Sequence, residues 1–341
     1  MNAPSETGSH ATPEPATTGT AAGSLRRGFK RHPTLFAMPV LLATFLALTV
    51  AIHPKFGSFD AQSLAMGALP LAMAAAAQAV VVLSGGIDLS VGSVMAVANV
   101  LAASTMQNGS FGESLLLSAA IIVAGAVVGA VNGLIVVWSR IPDVVVTLTT
   151  GFIWGGIALL ILEKPGGGAP DDFLNLGTGT FLTDWLPNAL IMAVVVVVTI
   201  WVPVFRSRLA LLLYAVGSDR TAAFRSGVNI ERTRVFSYIL GGLFSAVGGL
   251  SLTMITGIGS PLAGVYYTLS GLAAVVIGGV SLTGGRGGMV GPVIASFVLT
   301  LIPTDLIFLN IDPNYGQVIQ GTLIVLVVMV GGFFALRRSR A

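Results

Sequence analysis

The sequence predicts an all-α integral membrane protein with about ten transmembrane helices and both termini in the cytoplasm. Three observations carry this. Hydrophobic residues make up 54% of the 341-residue chain and charged residues 9%. A soluble domain carries about 25% charge, so this chain cannot cover a water-facing surface. Apolar stretches of roughly 20 residues, the length that crosses a bilayer core of about 30 Å, follow one another along most of the chain. The basic residues are also sorted. With the N-terminus inside, ten spans leave 15 of the 17 Lys and Arg in cytoplasmic segments, and only Lys55 and Lys164 outside. Basic short loops set orientation, and one span more or fewer scrambles the split.

Residues 1–33 are expected to form an N-terminal cytoplasmic tail. Met1 to about Gly23 is rich in Thr, Ser, Ala, Gly and Pro, has no apolar period and reads as disordered. It lacks the charged start and apolar stretch of a secretory signal peptide. Arg26, Arg27, Lys30 and Arg31 then give the first span a basic flank. A transmembrane domain fills 34–336, with spans at about 34–52, 63–84, 90–106, 114–138, 142–162, 185–204, 233–255, 267–282, 289–309 and 315–336. The third and eighth are short. The longest cytoplasmic loop is 205–234. The longest external loop runs from about Glu163 to Asp184 and holds the flexible run Pro165-Gly166-Gly167-Gly168. A basic cytoplasmic tail, 337–341, closes the chain.

Several chemistries are excluded. Without cysteine there is no disulfide framework, thiolate metal site or cysteine nucleophile. His10, His32 and His53 all lie near the N-terminus, so no metal centre is expected. No G-x-x-x-x-G-K-[ST] occurs, so the chain has no phosphate-binding loop of its own. The basic residues sit in short loops between apolar spans rather than in a patch for nucleic acid. The spans lack the acidic clusters and histidines of ion-coupled carriers; Asp305, near the outer end of the ninth span, is the nearest candidate.

The motifs are glycine-centred. In Ser84-Gly85-Gly86-Ile87-Asp88-Leu89-Ser90-Val91-Gly92 the glycines can end a helix in the left-handed conformation, and Asp88 can N-cap the next one. This reads as a tight interhelical turn, or as a break lining a pathway; the two are compatible. Asp88 is a poor proton relay, because no intramembrane partner is evident. Gly85 to Gly92 resembles Gly278-Gly279-Val280-Ser281-Leu282-Thr283-Gly284-Gly285, a weak internal repeat whose copies are parallel. Gly284-Gly285-Arg286-Gly287-Gly288 is a turn that brings helices close. In the fourth span Gly125, Gly129 and Gly133 share one helix face for close packing, with Asn132 beside them to bond across helices or reach a polar solute. Gly241, Gly242, Gly248 and Gly249 do the same for the seventh span. In Tyr214 to Val228, Ser218 or Asp219 can N-cap a short helix, Gly227 can end it, and Ala222 and Ala223 lie beside Phe224. Such a helix suits docking into a cleft on a partner.

Four segments in this order resemble the permease subunits of ribose-type ABC sugar importers, over nearly the whole chain after about Pro33. They are Ser84 to Gly92 (the family's G-x-D-L-S-V-G turn), Val131-Asn132-Gly133 through Thr147-Leu148, Tyr214 to Gly227 (its A-x-G-x-N-x-x-A-A-x-x-S-G coupling loop), and Leu272 to Gly279 with Gly284, Gly285 and Gly291. Two departures stand out. Ser218-Asp219 replaces a Gly/Ser-Asn pair, and Thr268 stands before Leu269 where the family often has an acidic residue. The resemblance implies a multi-pass protein of the bacterial inner membrane without enzymatic chemistry. It implies a second permease subunit (a second copy or a related chain), two cytoplasmic ATPase subunits that bind the ATP, and a periplasmic sugar-binding protein. No nucleic acid partner is implied.

The resulting expectations are specific. Gly217, Asp219, Arg220, Ala222, Ala223 and Gly227 couple the chain to the ATPase. Asp88, Asn99 and Asn132 line the substrate pathway, because polar groups inside spans are costly without partners; that pathway follows the dimer or bundle centre along the glycine-rich spans. Gly85, Gly86, Gly278, Gly279, Gly284 and Gly285 are structural turns. The external loop meets the binding protein, and deleting Gly166 to Asp172 is expected to weaken that contact. A secondary transporter of small polar solutes that works without ATP is the alternative, and a membrane scaffold a further one. The sugar is not legible.

Overall fold

A computed structural model describes residues 33–312, and beyond them 314–316, 318, 319, 321, 322, 325 and 329. The N-terminal tail, most of the tenth span and the basic tail lie outside the described residues. Among the described residues every regular element is a helix, and the only strand-like pairings are two isolated backbone bridges, Gly166 to Gly259 and Thr180 to Pro187. The helices are α1 (Pro33–Ile52), α2 (Ser58–Leu83), α3 (Val91–Met106), α4 (Phe111–Ser139), α5 (Asp143–Ile161), α6 (Asp171–Thr178), α7 (Asn188–Arg206), α8 (Arg208–Ser218), α9 (Arg220–Arg225), α10 (Ile230–Thr256), α11 (Val265–Ile277) and α12 (Val290–Phe308). Six of them, α2, α4, α5, α7, α10 and α12, are long and apolar enough to cross a membrane. Helices stand at the first nine predicted spans, with ends shifted by a few residues, three of them (α1, α3 and α11) outside this long apolar set.

Local chemistry starts these helices. Ser110 and Glu113 form a reciprocal capping box at α4: Ser110 N donates to Glu113 Oε2 at 2.7 Å and Glu113 N to Ser110 Oγ at 3.3 Å. In α2, Ala72 and Ala74 to Ala77 are fully buried. This alanine run favours helix and leaves room for α10, α11 and α12 to pack around it. The α4–α10 seam is closer still. A Cβ on Gly129 would overlap the Tyr238 carbonyl, and one on Gly242 would overlap the Gly125 carbonyl. The glycine stripe predicted for the fourth span is therefore filled by a neighbouring backbone. In α10, Gly249 meets the Met95 carbonyl and Gly248 the Met95 and Met73 side chains. The glycine faces close the bundle of one chain rather than lining a passage through it.

The two short spans are broken ones. Gln78, five residues before the end of α2, donates through Nε2 to Asp88 O at 2.5 Å. At 1.5 Å per residue, the chain after Leu83 has therefore turned back to a level well inside the bundle before α3 begins. From the other end, the segment after α10 descends along α3 without helix. Ser260 N donates to Asn99 Oδ1 at 2.7 Å, and Gly264 lies against Gly92, where a Cβ on either would overlap the other's carbonyl. The N-termini of α3 and α11 thus meet inside the protein. Non-helical backbone at that depth is tolerated because protein surrounds it. Thr268, the residue that departs from the acidic pattern, accepts a hydrogen bond from Gly92 N at 3.1 Å.

The loop expected to be free surface between the fifth and sixth spans is only partly so. Gly168 N donates to Ala103 O at 2.9 Å, and Phe173 in α6 is fully buried. Gly166 to Pro170 is thus partly buried on its own chain while Asp171 and Asp172 are exposed, so deleting Gly166 to Asp172 removes structure as well as surface. The exposed parts include Glu163 to Pro165, Asp171 and Asp172, and the tight turn holding Phe181, Leu182 and Trp185.

Candidate functional site

Two groupings of the sequence-predicted residues emerge. The first lies at the end of the bundle that carries the basic loops. Asp219 leaves α8 in extended backbone, and its Oδ1 accepts from Thr221 N and Ala222 N at 2.8 and 3.0 Å. Between Ser218 and Asp219, the cap is therefore Asp219, a role Asn fills equally well. At the other end Gly227 takes φ +80°. Gly227 N donates to Phe224 O at 2.9 Å and Val228 N to Ala223 O at 3.0 Å, the paired bonds of a Schellman ending. The short helix α9 is thus defined by its own caps. Its faces differ from the expectation: Ala222 is exposed, but Ala223 is 5% exposed and turned against its own chain. The residue that projects is Phe224, 71% exposed.

The glycine turns end α2 and α11 in the same way. Gly85 and Gly279 hold φ near +80°. Gly86 N donates to Val81 O and Val280 N to Val275 O, both at 3.1 Å. The repeat is real in geometry but shifted: Gly85 corresponds to Gly279, one residue from the pairing with Gly278 that residue identity suggests. Identity placed it wrongly because the third residue of a Gly-Gly turn is free to vary, whereas the left-handed position is not.

These turns meet α8 and α9 at one junction. Gly285 N donates to Leu83 O at 3.0 Å, Arg220 Nη2 to Gly85 O at 3.0 Å, and Tyr214 Oη to Gly287 O at 2.8 Å. Burial pushes the Tyr214 phenol up, so it stays a donor. A Cβ on Gly217 would overlap the Leu83 carbonyl, and one on Gly284 would lie 2.8 Å from Gly85 Cα. Gly217, Arg220, Gly85, Gly284 and Gly285 are therefore one assembly, while Gly278 abuts Gly291 and Pro292 at the start of α12. Gly217→Val should force this junction apart. Overpacking costs about 1–3 kcal/mol, so amide exchange of residues 218–228, followed by mass spectrometry, is expected to rise about tenfold or more. Unchanged protection would mean the junction is not tight.

The second grouping is a buried polar chain beneath the start of α3. Asp88 Oδ1 accepts from Ser90 N at 2.8 Å and Ser90 Oγ at 2.5 Å. Asn132 Nδ2 donates to Ser90 Oγ at 2.8 Å, and Trp154 Nε1 to Asn132 Oδ1 at 3.0 Å. Asp88 therefore closes a turn on Ser90 rather than capping the first turn of α3, and it has the intramembrane partners that the sequence did not reveal. Thr147 Oγ1 accepts from Leu89 N at 3.0 Å. Beside this chain, Arg234 Nη2 bonds both oxygens of Asp143, at 2.6 Å to Oδ2, and Tyr238 Oη donates to Asp143 Oδ2 at 2.9 Å. The sequence reading missed Asp143, although a lone carboxylate opening an apolar span is itself a signal. Asn99 is separate: it ties α3 to Thr253 Oγ1 at 2.8 Å and to the backbone at Ser260. All three predicted pathway residues are buried and bonded to protein. Among the described residues no three His, Asp or Glu side chains gather as metal ligands.

Residues 61–328 match the family described as branched-chain amino acid transport system / permease component. The ribose import permease protein RbsC of Haemophilus influenzae is 29% identical over 309 residues, covering 88% of this chain and 93% of that protein. The ribose import permease protein RbsC of Escherichia coli (strain K12) is 31% identical over 268 residues, 76% of this chain and 81% of that one. The D-allose transport system permease protein AlsC of the same organism is 30% identical over 248 residues, 72% and 75%. No solved structure matches.

Proposed function

Because the chain belongs to the permease-component family that residues 61–328 match, we propose that it forms the membrane pathway of an ATP-driven importer for a monosaccharide of the pentose or hexose class. It is a multi-pass inner-membrane transport subunit and not an enzyme; hydrolysis belongs to a separate ATPase. The observation that carries the reading is the capped helix α9, held at the basic end of the bundle by a junction that joins α2, α8 and the turn after α11. A rigid element tied to both glycine turns is what a partner needs to move spans by pushing on one point. On this reading the basic end is cytoplasmic and Phe224, Ala222 and Thr221 face the ATPase. The Phe181–Trp185 turn faces a periplasmic binding protein. The closed interior of one chain supports a pathway at the seam with a second permease subunit, where Asp88 and Asn132 position α3 rather than touch sugar.

The test is reconstitution. In proteoliposomes with its ATPase and binding protein, the chain is expected to take up labelled ribose, allose or fructose only when ATP is present. Uptake at the same rate without the ATPase would favour the secondary-transporter reading instead.

A further inference from the structure

The geometry points to an anionic phospholipid site in the groove between α8 and α10. This groove, of about 400 Å³, is lined by Leu209, Leu212 and Phe236, with Arg208 and Arg232 at its rim. Neither arginine is in an ion pair among the described residues, where the pairs are Arg234–Asp143 and His53–Asp60 and Glu231 pairs with neither. The groove reaches the junction of α7 and α8, since Ser207 between them is part of its lining. Arg206 ends α7, Ser207 is extended, and α8 turns away. The surface of α7 above it is apolar and open, with Phe205 54% exposed.

Each part of the groove matches one part of a lipid. A guanidinium binds a phosphodiester through two parallel hydrogen bonds, and two arginines on one rim complement a single anionic headgroup. The apolar floor takes the first carbons of an acyl chain entering from the α7 side. A basic pocket between helices at the membrane boundary recruits anionic headgroups in this way. A free phosphate would satisfy the rim but leave the floor uncovered, and a protein partner would have to reach past the lipid that already faces α7. The inference rests on the membrane reading above, but not on the transported sugar.

The experiment uses the purified permease assembled with its ATPase, delipidated and titrated with phosphatidylglycerol or phosphatidylcholine, with bound lipid read by native mass spectrometry. Arg208→Gln with Arg232→Gln should weaken phosphatidylglycerol about thirtyfold, at roughly fivefold per arginine, and leave phosphatidylcholine unchanged. The corresponding double Lys variant, which keeps the charge, should retain most of the affinity. Three results overturn the proposal: equal phosphatidylglycerol retention by the Gln variant, displacement of the lipid by millimolar inorganic phosphate, or loss of the ATPase subunit with lipid retention unchanged. If the Gln variant does not fold, phosphate competition on the unaltered complex decides: retained phosphatidylglycerol supports the site.

Discussion

Phe224→Ala is expected to lower ATP-driven uptake sharply while leaving the permease folded. The side chain is 71% exposed in the last turn of a six-residue helix. Removing it therefore costs the isolated chain almost nothing. At an interface the same ring is a different object. Exposed aromatics anchored in a partner's pocket contribute about 2 kcal/mol or more when truncated, which is roughly thirtyfold in affinity. The rest of α9 is already fixed by Asp219 and the Gly227 ending, so little ordering is needed on docking and the contact energy is retained. The check has two readouts: co-purification of the ATPase with the variant, and uptake in proteoliposomes. Both should fall while the thermal midpoint stays put. Wild-type co-purification and uptake would remove Phe224 from the interface. Ala223→Arg is the less informative probe, because Ala223 packs on its own chain and its replacement disturbs the fold.

The second large effect is expected at the Asp143–Arg234 pair. Their side chains are only 15% and 11% exposed, and Tyr238, bonded to Asp143, is fully buried. Asp143→Asn keeps an acceptor for Tyr238 but strands the guanidinium in an apolar surround. Breaking one partner of a buried pair costs about 3–5 kcal/mol, whereas replacing both with well-packed groups is often near neutral. The single variants Asp143→Asn and Arg234→Gln should each lower the thermal midpoint of the purified protein markedly, and the double variant should recover much of the loss. The midpoint is read by thermal-ramp size-exclusion chromatography. Single variants that melt like the wild type would mean that water reaches the pair. Because Asp143 Oδ2 lies 2.6 Å from where a Cβ on Gly86 would sit, the same variants should also loosen the turn after α2.

What the amino-acid order determined is whatever depends on neighbours in sequence. Low charge and repeated apolar stretches require burial in lipid whatever the packing. Asp219 and Gly227 delimit α9 because a cap bonds amides two or three residues away and a left-handed glycine ends the same turn. The glycine stripe of α4 showed a close-packed face because helical spacing alone aligns it. Only the tertiary structure decided which distant groups touch. Leu83 and Gly285 are joined by one hydrogen bond, Asp143 reaches Arg234, and Ser90 links Asp88 to Asn132. Each contact depends on how whole helices cross. The same holds for the short spans. Length revealed that α3 and α11 are short, but not that they begin inside the bundle, since a break at that depth is stable only when neighbouring helices supply its hydrogen bonds. Ala223 illustrates the limit most simply. Its small size suggested a docking face, and packing turned that face inward and left Phe224 outside.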